Sequence, residues 1–456
     1  MRPRGAVPVA SMTRLLGAAA ALAGVVSALV VRVADHYVAP GEAPAAMSGI
    51  APGGTPAVRG GNDFVDWRDA TYLPGRDLLH GFDPYDITGY LARHPGSQEF
   101  DLYGPHHLLL TGWAGALPYP ASVVAGFALI VLGSLLLAAV LLRAAGAVPH
   151  PAGVLLVGAA LLAVLPGRTS LVQGQLTPWY VLGAAVAWRE ARQRPWVAAC
   201  GLAVVAVKPQ LGVPLAIVLV LAGAWTVVAR AAVVVVVLSA VPLTALLVIE
   251  GPGRLLRVWV DNASYSASVA ITEGGQRVDL AGALLHEFSF APGWLPLACG
   301  LFGLAALVAL LVRARSGGRD ALADPAVPAG VAAGLLLLTV EQEYGLLLLA
   351  WPLAVLVGAL PAARRRTLFA LAGAVSLALL LPQRLLLAIP FVNRIHPLTP
   401  ATAALIGALA VALLGSRPPA AVEPGEEPSS STPLQVDRRH FDETGGDTAA
   451  GLSREA

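Results

Sequence analysis

The chain has 456 residues, of which 56% are hydrophobic and only 13% are charged, a balance too apolar for a soluble protein of this length. A mean hydropathy of +0.70 predicts that lipid covers most of the molecule. The net charge of +2 gives no sign of a nucleic-acid partner. Cys200 and Cys299 both fall inside apolar stretches, which argues against a disulfide framework or a thiolate metal site.

The first apolar stretch, residues 15–31, follows three arginines and predicts a retained membrane anchor. A signal peptide is the alternative, but no clear small-residue cleavage site precedes Asp35. Residues 1–34 are therefore interpreted as a cytoplasmic segment and the first anchor. The chain then turns polar and rich in Gly, Pro and Asp, so residues 35–120 are predicted to form an extracytoplasmic loop with interfacial helices.

Further apolar stretches predict an all-α fold, a polytopic transmembrane helical bundle of about 10–13 spans whose main part is residues 121–415. Several stretches are shorter than the roughly twenty residues that a straight span needs, so their borders are approximate. They lie at about 121–142, 152–165, 176–188, 196–207, 211–229, 231–250, 294–312, 327–340, 345–361, 367–387 and 399–415.

Threading the chain through these spans predicts a multi-pass plasma-membrane protein with both termini in the cytoplasm. Residues 416–456 are rich in Pro, Glu, Ser and Thr and are predicted to form a disordered cytoplasmic tail. With this threading, the arginines of the connections fall on the cytoplasmic side, as the positive-inside rule requires. These are Arg143, Arg189, Arg192, Arg194, Arg230, Arg313, Arg315, Arg319, Arg364, Arg365 and Arg366.

The extracytoplasmic side collects short polar segments that mix acids, amides and isolated cations. Ionisable residues at membrane depth cost a few kcal/mol each and tend to mark a functional site. The mixture fits a polar ligand with an anionic part better than a simple ion pore. The sequence contains no Gly-rich phosphate loop, HExxH or GxSxG motif, so nucleotide hydrolysis and serine hydrolase chemistry are not indicated.

Several short motifs follow one another in these polar segments. They are Gly61–Phe64 with Trp67, Asp83–Asp86, Tyr103–His106, Gly174–Gln175, Lys208–Gly212 and Glu343–Tyr344. In this combination and order, the chain resembles glycosyltransferase family 87, the polyprenyl-phosphate-mannose-dependent mannosyltransferases. The resemblance spans about residues 60–360.

The resemblance implies the GT-C fold, in which the first extracytoplasmic loop holds an acidic residue over a lipid-linked sugar donor. It implies a membrane glycosyltransferase that moves a sugar, with mannose expected and arabinose as the alternative, from a polyprenyl-phosphate carrier to a glycolipid or glycan acceptor. Such a donor needs no nucleotide-binding domain, because the lipid anchors it and the phosphate is already the leaving group. A single base and an activated leaving group suffice, so inversion at the anomeric carbon is expected.

The base that deprotonates the acceptor hydroxyl must be a carboxylate within hydrogen-bond reach. Asp63 is the predicted base, with Asp66 and Asp69 as alternatives. A structural role for Asp63 stays open, since Asn62 and Asp63 are good N-cap residues for a short interfacial helix. The regular spacing of the three aspartates could also hold a divalent cation on one helix face, although no cofactor and no metal site are expected.

Other polar residues are predicted to bind the substrates. Fixed cations at the external ends of spans, Lys208 above all, can stabilise charge on the departing phosphate, although snorkelling at the interface is the alternative. For the amides, the alternative is hydrogen bonding between helices, and for the aromatic residues it is a belt at the interface. The candidates are the cations Arg168, Lys208, Arg384 and Arg394, the sugar-binding Gln173, Gln175, Gln210, Glu341 and Glu343, and Tyr103, His106 and Tyr344.

A secondary transporter or lipid-carrier flippase is the alternative function. Such proteins also have about twelve spans with polar groups at membrane depth, but they carry internal repeats with paired broken helices near the midplane. The two halves of this chain show no convincing repeat, and the polar groups cluster at one end of the spans. A non-catalytic scaffold would leave the large loop unexplained.

Overall fold

The computed structural model describes residues 64–100, 103–272, 295–316, 320–323, 327–338 and 343–359. All regular structure within these ranges is helical, and they contain no strand. The all-α prediction is therefore confirmed for this part of the chain. The predicted anchor at residues 15–31, the last two predicted spans and the C-terminal tail lie outside the described residues.

Short helices form the loop that precedes the long apolar helices. The first of them continues into the second through a π turn, Arg68–Tyr72. Phe64 occupies the N-cap position with φ +59° and makes no side-chain cap hydrogen bond, while Asp63, the predicted cap, lies outside the described residues. The helices are α1 (Val65–Trp67), α2 (Leu73–Leu79), α3 (Ile87–Arg93) and α4 (Pro105–Thr111), the last followed by the 3₁₀ turn Gly112–Ala116.

The bundle helices begin after this 3₁₀ turn. Proline is the first residue of several of them, a position where its missing N–H removes no helical hydrogen bond. Their bounds are α5 Tyr119–Ala144, α6 Pro151–Ala163, α7 Leu165–Gln173, α8 Thr177–Arg189, α9 Pro195–Val205, α10 Pro209–Leu221, α11 Trp225–Glu250, α12 Pro252–Thr272, α13 Leu295–Ser316, α14 Val327–Leu338 and α15 Ala350–Ala359, with the 3₁₀ segment Glu343–Leu349 before α15.

Two of these helices, α5 and α11, are long and apolar enough to cross a membrane. The pair α6 and α7 would pass the same test as one span, but it is bent by 78°. Other predicted spans correspond to apolar helices of 10–17 residues, which are shorter than a straight span needs. A polytopic bundle therefore agrees with the described residues, and the span count stays a prediction.

Helices α8 and α9 pack closely because small residues line their contact. A Cβ on Gly183 would lie 2.6 Å from the carbonyl oxygen of Gly201, so the two backbones approach at a distance that only glycine allows. Ala184 and Ala198 are buried in the same core. Small residues are the usual means of close helix packing in a lipid environment.

The loop packs on the bundle through aromatic side chains. Phe64 and Trp67 lie in one apolar cluster with Ile130 of α5. Tyr85 lies in another, with Leu255 of α12, and Asn262 Nδ2 donates to the carbonyl oxygen of Tyr85 at 2.9 Å. These contacts fix the loop against α5 on one side and against α12 on the other.

Candidate functional site

The first helix of the loop, α1, packs between α5 and the C-terminal end of α7. Trp67 is fully buried, and its Nε1 donates a 2.9 Å hydrogen bond to Ser122 Oγ. A Cβ on Gly126 would lie 2.7 Å from the Trp67 ring, and one on Gly174 would lie 2.5 Å from Trp67 Cβ. Gly174 also has φ +77°, so both its conformation and its surroundings require glycine. The position of α1 is therefore set by two close backbone contacts.

Asp66 lies next to the glycine–glutamine motif. Its carboxylate accepts a hydrogen bond from Gln175 Nε2, which joins residues 109 positions apart in the sequence. Gln175 is buried and Asp66 is half-buried. The N–H of Phe64 donates to the carbonyl oxygen of Val172 at 2.5 Å, which fixes the backbone on the other side of α1. The structure thus brings a candidate base and a candidate sugar-binding amide into contact.

Asp69 has a different environment. Its side chain is buried and forms an ion pair with Arg68 at 2.6 Å, and it accepts a hydrogen bond from the N–H of Gln98 at 2.9 Å. Tyr90 donates to its backbone carbonyl at 2.8 Å. These contacts indicate that Asp69 holds the loop together. Asp66 and Asp69 have separate partners, and the described residues contain no group of three His, Cys, Asp or Glu side chains suited to a metal ion.

Lys208 is the buried cation of the site. It is the N-cap residue of α10, only 3% exposed, and its Nζ lies 5.5 Å from the ring centroid of Tyr180, within the range of a cation–π contact. Its side chain borders a narrow cavity of about 20 Å³. The other residues that line this cavity are Thr177, Tyr180, Val181, Ala184, Val205, Leu211, Leu215, Leu335, Gly345 and Leu348.

The Asp66 contact and the Lys208 cavity are linked by one short segment. Gln175, which holds Asp66, and Thr177, which lines the cavity, are two positions apart, so their Cα atoms are separated by no more than about 7 Å. Gly345 places the 3₁₀ segment Glu343–Leu349 at the same cavity. The loop, the start of α8, the start of α10 and this 3₁₀ segment therefore meet in one place.

Tyr103 and the first turn of α4 pack against α9 from the loop side. Tyr103 stacks on His107 with ring centroids 4.6 Å apart. His106 Nε2 lies 3.2 Å from the carbonyl oxygen of Ala203. Burial lowers the pKa of His106 and lowers the pKa of His107 to about 4, so both rings are neutral at pH 7. Tyr103 and His106 thus help to pack the loop against α9.

A family model described as glycosyltransferase family 87 matches residues 102–339, slightly more than half of the chain. The chain belongs to glycosyltransferase family 87. It is accordingly a membrane glycosyltransferase, which takes a sugar donor and an acceptor as substrates. The comparisons with curated proteins and with solved structures found no match. The family match includes Gln175 and Lys208 and begins after the helix that carries Asp66.

Other predicted site residues of this glycosyltransferase have the following positions. Arg168 lies on α7 and Gln173 ends it, while Gln210 is in the first turn of α10, and all three side chains are half-buried. Glu343 and Tyr344 begin the 3₁₀ segment beside the Lys208 cavity, although nothing is described of their side chains. Asp63, Glu341, Arg384 and Arg394 lie outside the described residues.

Three polar residues of the site were missed by sequence reasoning. Ser122 binds the Trp67 indole, while Thr177 and Tyr180 line the Lys208 cavity. Each lies within or at the start of an apolar helix, where isolated hydroxyl groups are common. The sole signal for Thr177 was its position two residues after Gln175, at the start of a predicted span.

Proposed function

We propose that this glycosyltransferase moves one sugar, mannose, from a polyprenyl-phosphate carrier to a hydroxyl of a glycolipid or glycan acceptor. The observation that carries this proposal is that a carboxylate and a buried ammonium lie near the same short segment. Asp66 contacts Gln175, and Lys208 lines one cavity with Thr177, two residues further on. Displacement of a phosphate by a hydroxyl needs a base for the hydroxyl and positive charge near the phosphate. These two groups supply both functions within one small site.

The carboxylate acts as the general base. It accepts the acceptor hydroxyl proton as the acceptor oxygen bonds to the anomeric carbon, the bond from that carbon to the phosphate oxygen breaks, and the electron pair leaves with the phosphate. A single displacement of this kind inverts the anomeric centre. The hydrogen bond from Gln175 orients the carboxylate of Asp66. Asp63, adjacent to the described residues, is the second candidate for the base.

The remaining site residues bind the two substrates. Lys208 stabilises the negative charge that develops on the departing phosphate, and its burial among apolar residues strengthens this interaction. The reaction needs no cofactor, because the carrier phosphate is itself the leaving group. Sugar and phosphate contacts are assigned to Arg168, Gln173, Gln175, Gln210, Glu341, Glu343 and Tyr344.

The active face is proposed to be extracytoplasmic. The site lies at the N-terminal end of α8, whereas Arg189 ends this 13-residue helix, about 20 Å away at 1.5 Å per residue. Arg192, in the following connection, pairs with Asp320 at 2.6 Å, which joins two segments that the threading places in the cytoplasm. The positive-inside rule assigns the arginine-rich end to the cytoplasm, so the site faces outward.

Turnover of purified protein in nanodiscs tests this function directly. The substrates are radiolabelled polyprenyl-phosphate mannose and a membrane lipid extract, and wild type is compared with Asp66→Asn and Asp63→Asn. Loss of the base is expected to lower turnover by roughly 10²- to 10⁴-fold while the protein stays folded. Asp69→Asn is the matched control, because Asp69 is engaged with Arg68 and is expected to keep its turnover per folded molecule.

The outcomes separate the parts of the proposal. Full activity of Asp66→Asn together with loss in Asp63→Asn would move the role of base to Asp63. Full activity of both variants would refute a carboxylate base in this part of the loop. Wild-type protein that transfers label from no polyprenyl-linked sugar would contradict the donor class.

A further inference from the structure

Thr177 carries a buried hydroxyl that has no hydrogen-bond partner in the part of the chain that the structure describes. The residue is 4% exposed, and among the described residues no group accepts from or donates to its Oγ1. Leaving a buried hydroxyl unsatisfied destabilises the folded protein. Buried polar groups in folded proteins are nearly always paired, so an unpaired one at a binding cavity indicates a ligand atom as the missing partner.

The surroundings of this hydroxyl favour a negatively charged ligand. Thr177 is the first residue of α8, and Lys208, which lines the same cavity, is the N-cap of α10. Both helices have 13 residues, and the N-terminal end of each carries a partial positive charge of roughly half a unit. One ammonium group, the Thr177 hydroxyl and two helix N-termini therefore converge on one cavity, whose other lining residues are apolar apart from Tyr180. Such an arrangement binds anions.

The size of the cavity limits which part of an anion it accepts. A water molecule needs roughly 10–15 Å³ of such space, and the cavity offers about 20 Å³. It therefore has room for a single oxygen atom and is too small for a whole phosphate. A phosphate bound at its mouth would insert one oxygen between Thr177 and Lys208 and keep its sugar and lipid substituents outside.

We propose that this cavity is an oxyanion pocket that receives one non-bridging oxygen of the carrier phosphate, with the Thr177 hydroxyl donating a hydrogen bond to it. That the anion is the carrier phosphate follows from the proposed function, on which this inference rests. Thr177 Oγ1 keeps its proton and donates a hydrogen bond to the phosphate oxygen, and the Lys208 ammonium balances the charge. No covalent bond to the protein forms. Thr177 thus joins Lys208 in binding the phosphate leaving group of the sugar donor.

The test compares Thr177→Val with Thr177→Ser. Valine matches the shape of threonine without the hydroxyl, so the KM for the polyprenyl-phosphate sugar is expected to rise roughly ten- to hundredfold. The melting temperature is expected to stay the same or increase, because the unsatisfied hydroxyl is removed. Serine keeps the hydroxyl and is expected to restore most of the donor affinity. If Thr177→Val fails to fold, Thr177→Ala tests the same loss with a smaller side chain.

Thr111→Val provides a matched control. The Thr111 hydroxyl is also buried, but it donates to the carbonyl oxygen of His107 at 2.9 Å. Its replacement is expected to lower the melting temperature and to leave the donor KM unchanged, the opposite of the pattern for Thr177. A merely structural role for Thr177 predicts the Thr111 pattern at both positions and would overturn the proposal.

Direct binding separates the pocket from the transfer reaction. Wild-type protein in nanodiscs is titrated with polyprenyl monophosphate and with the neutral polyprenol, with inorganic phosphate as a competitor. If the wild type prefers the monophosphate and this preference is weaker in Thr177→Val, the pocket is supported. The pocket is supported even if no sugar is transferred, and in that case only the proposed function fails. Normal sugar transfer with equal monophosphate affinity in wild type and Thr177→Val overturns the pocket and leaves the function intact. Competition by inorganic phosphate at similar concentrations would assign the site to free phosphate.

Discussion

Charged groups in the interior of the loop differ from those at its contact with the bundle. In the interior, Asp77 accepts hydrogen bonds from Arg93 and His94, each at 2.8 Å, and Asp69 pairs with Arg68. At the contact, the carboxylate of Asp66 is held by the neutral amide of Gln175. The two interior carboxylates thus form ion pairs within the loop, whereas Asp66 contacts the amide of a residue on the bundle.

This difference indicates that the two regions serve different purposes. The ion pairs in the interior hold the loop in one conformation, because Asp69 and Asp77 each have a cationic partner there. The contact with the bundle instead places a carboxylate, an ammonium and an unsatisfied hydroxyl around one small space. Functional sites commonly retain such locally unfavourable features, because substrate interactions compensate for them. Mutations in the two regions should therefore separate stability from activity.

The largest expected effect is that of Gly174→Ala, which would disturb the contact between the loop and the bundle. The new Cβ would lie 2.5 Å from Trp67 Cβ, and alanine would have to adopt φ +77°. Positive φ costs about 1–2 kcal/mol and overpacking adds about 1–3 kcal/mol. We expect the free energy of unfolding to fall by roughly 2–5 kcal/mol, measured by thermal or denaturant melting. Turnover per folded molecule should also fall, because the adjacent Gln175 is displaced from Asp66.

Gly146→Ala is the control for the backbone contribution. Gly146 has nearly the same φ, +75°, but a Cβ there would meet no atom within 4 Å. Its replacement should cost only the conformational part, about 1–2 kcal/mol, and leave turnover unchanged. Equal losses of stability in the two variants would show that close packing of Trp67 on Gly174 is unimportant.

The next effect in size is that of Lys208→Met, which removes the buried charge and keeps an apolar side chain of similar length. We expect kcat/KM to fall by roughly 100-fold or more, as for loss of an electrostatic contact to a transition state. Methionine fills a similar volume but loses the contact of the ammonium with the Tyr180 ring, so turnover is compared per folded molecule. Lys208→Arg keeps the charge and should retain part of the activity. Loss of stability without loss of turnover would instead mean that Lys208 is a structural residue.

The helical framework could be predicted from sequence because it depends on local apolar runs. The spans predicted at 121–142 and 231–250 correspond to α5, Tyr119–Ala144, and α11, Trp225–Glu250. The span predicted at 152–165 instead ends at Ala163, because Pro166 cannot continue the helix and α7 starts at an angle to it. Runs of apolar residues thus determine which segments are helical, and prolines determine where several of the helices begin.

The site could be predicted only in part. The sequence indicated Asp63 as the base, with Asp66 as an alternative, and Gln175 and Lys208 as substrate-binding residues. It did not indicate that Asp66 would meet Gln175, because a contact across 109 positions depends on tertiary packing. The pairing of Asp69 with Arg68 was also missed, since neighbours on an α-helix point in different directions and the π turn at Arg68–Tyr72 was not anticipated. Asp66 and Asp69 therefore looked equivalent in the sequence.

The smallest expected effect concerns two loop carboxylates with opposite dependence on pH. Burial alone would raise the pKa of Asp77, but hydrogen bonds from His94 and Arg93 outweigh it and hold this pKa below its ordinary value of 3.8. Burial raises the pKa of Asp83 to about 6, to which Glu250 and Asp86 contribute. Ionised Asp77 therefore stabilises the fold above pH 4, and this stability is lost as the pH falls further. Asp83 stabilises it in the protonated form, and its contribution is lost as the pH rises through about 6.

Asp83→Asn tests the second half of this contrast. Asparagine keeps the oxygen that accepts the 2.8 Å hydrogen bond from the N–H of Tyr85 and removes the charge that is buried at neutral pH. We expect it to raise the free energy of unfolding by about 1–2 kcal/mol at pH 7.5, and the gain should disappear between pH 6 and pH 4, as melting curves across this range would reveal. Asp77→Asn should lower stability at pH 7.5, with a difference that shrinks towards pH 3. A gain for Asp83→Asn that is the same at every pH would mean that it reflects packing rather than the charge on Asp83.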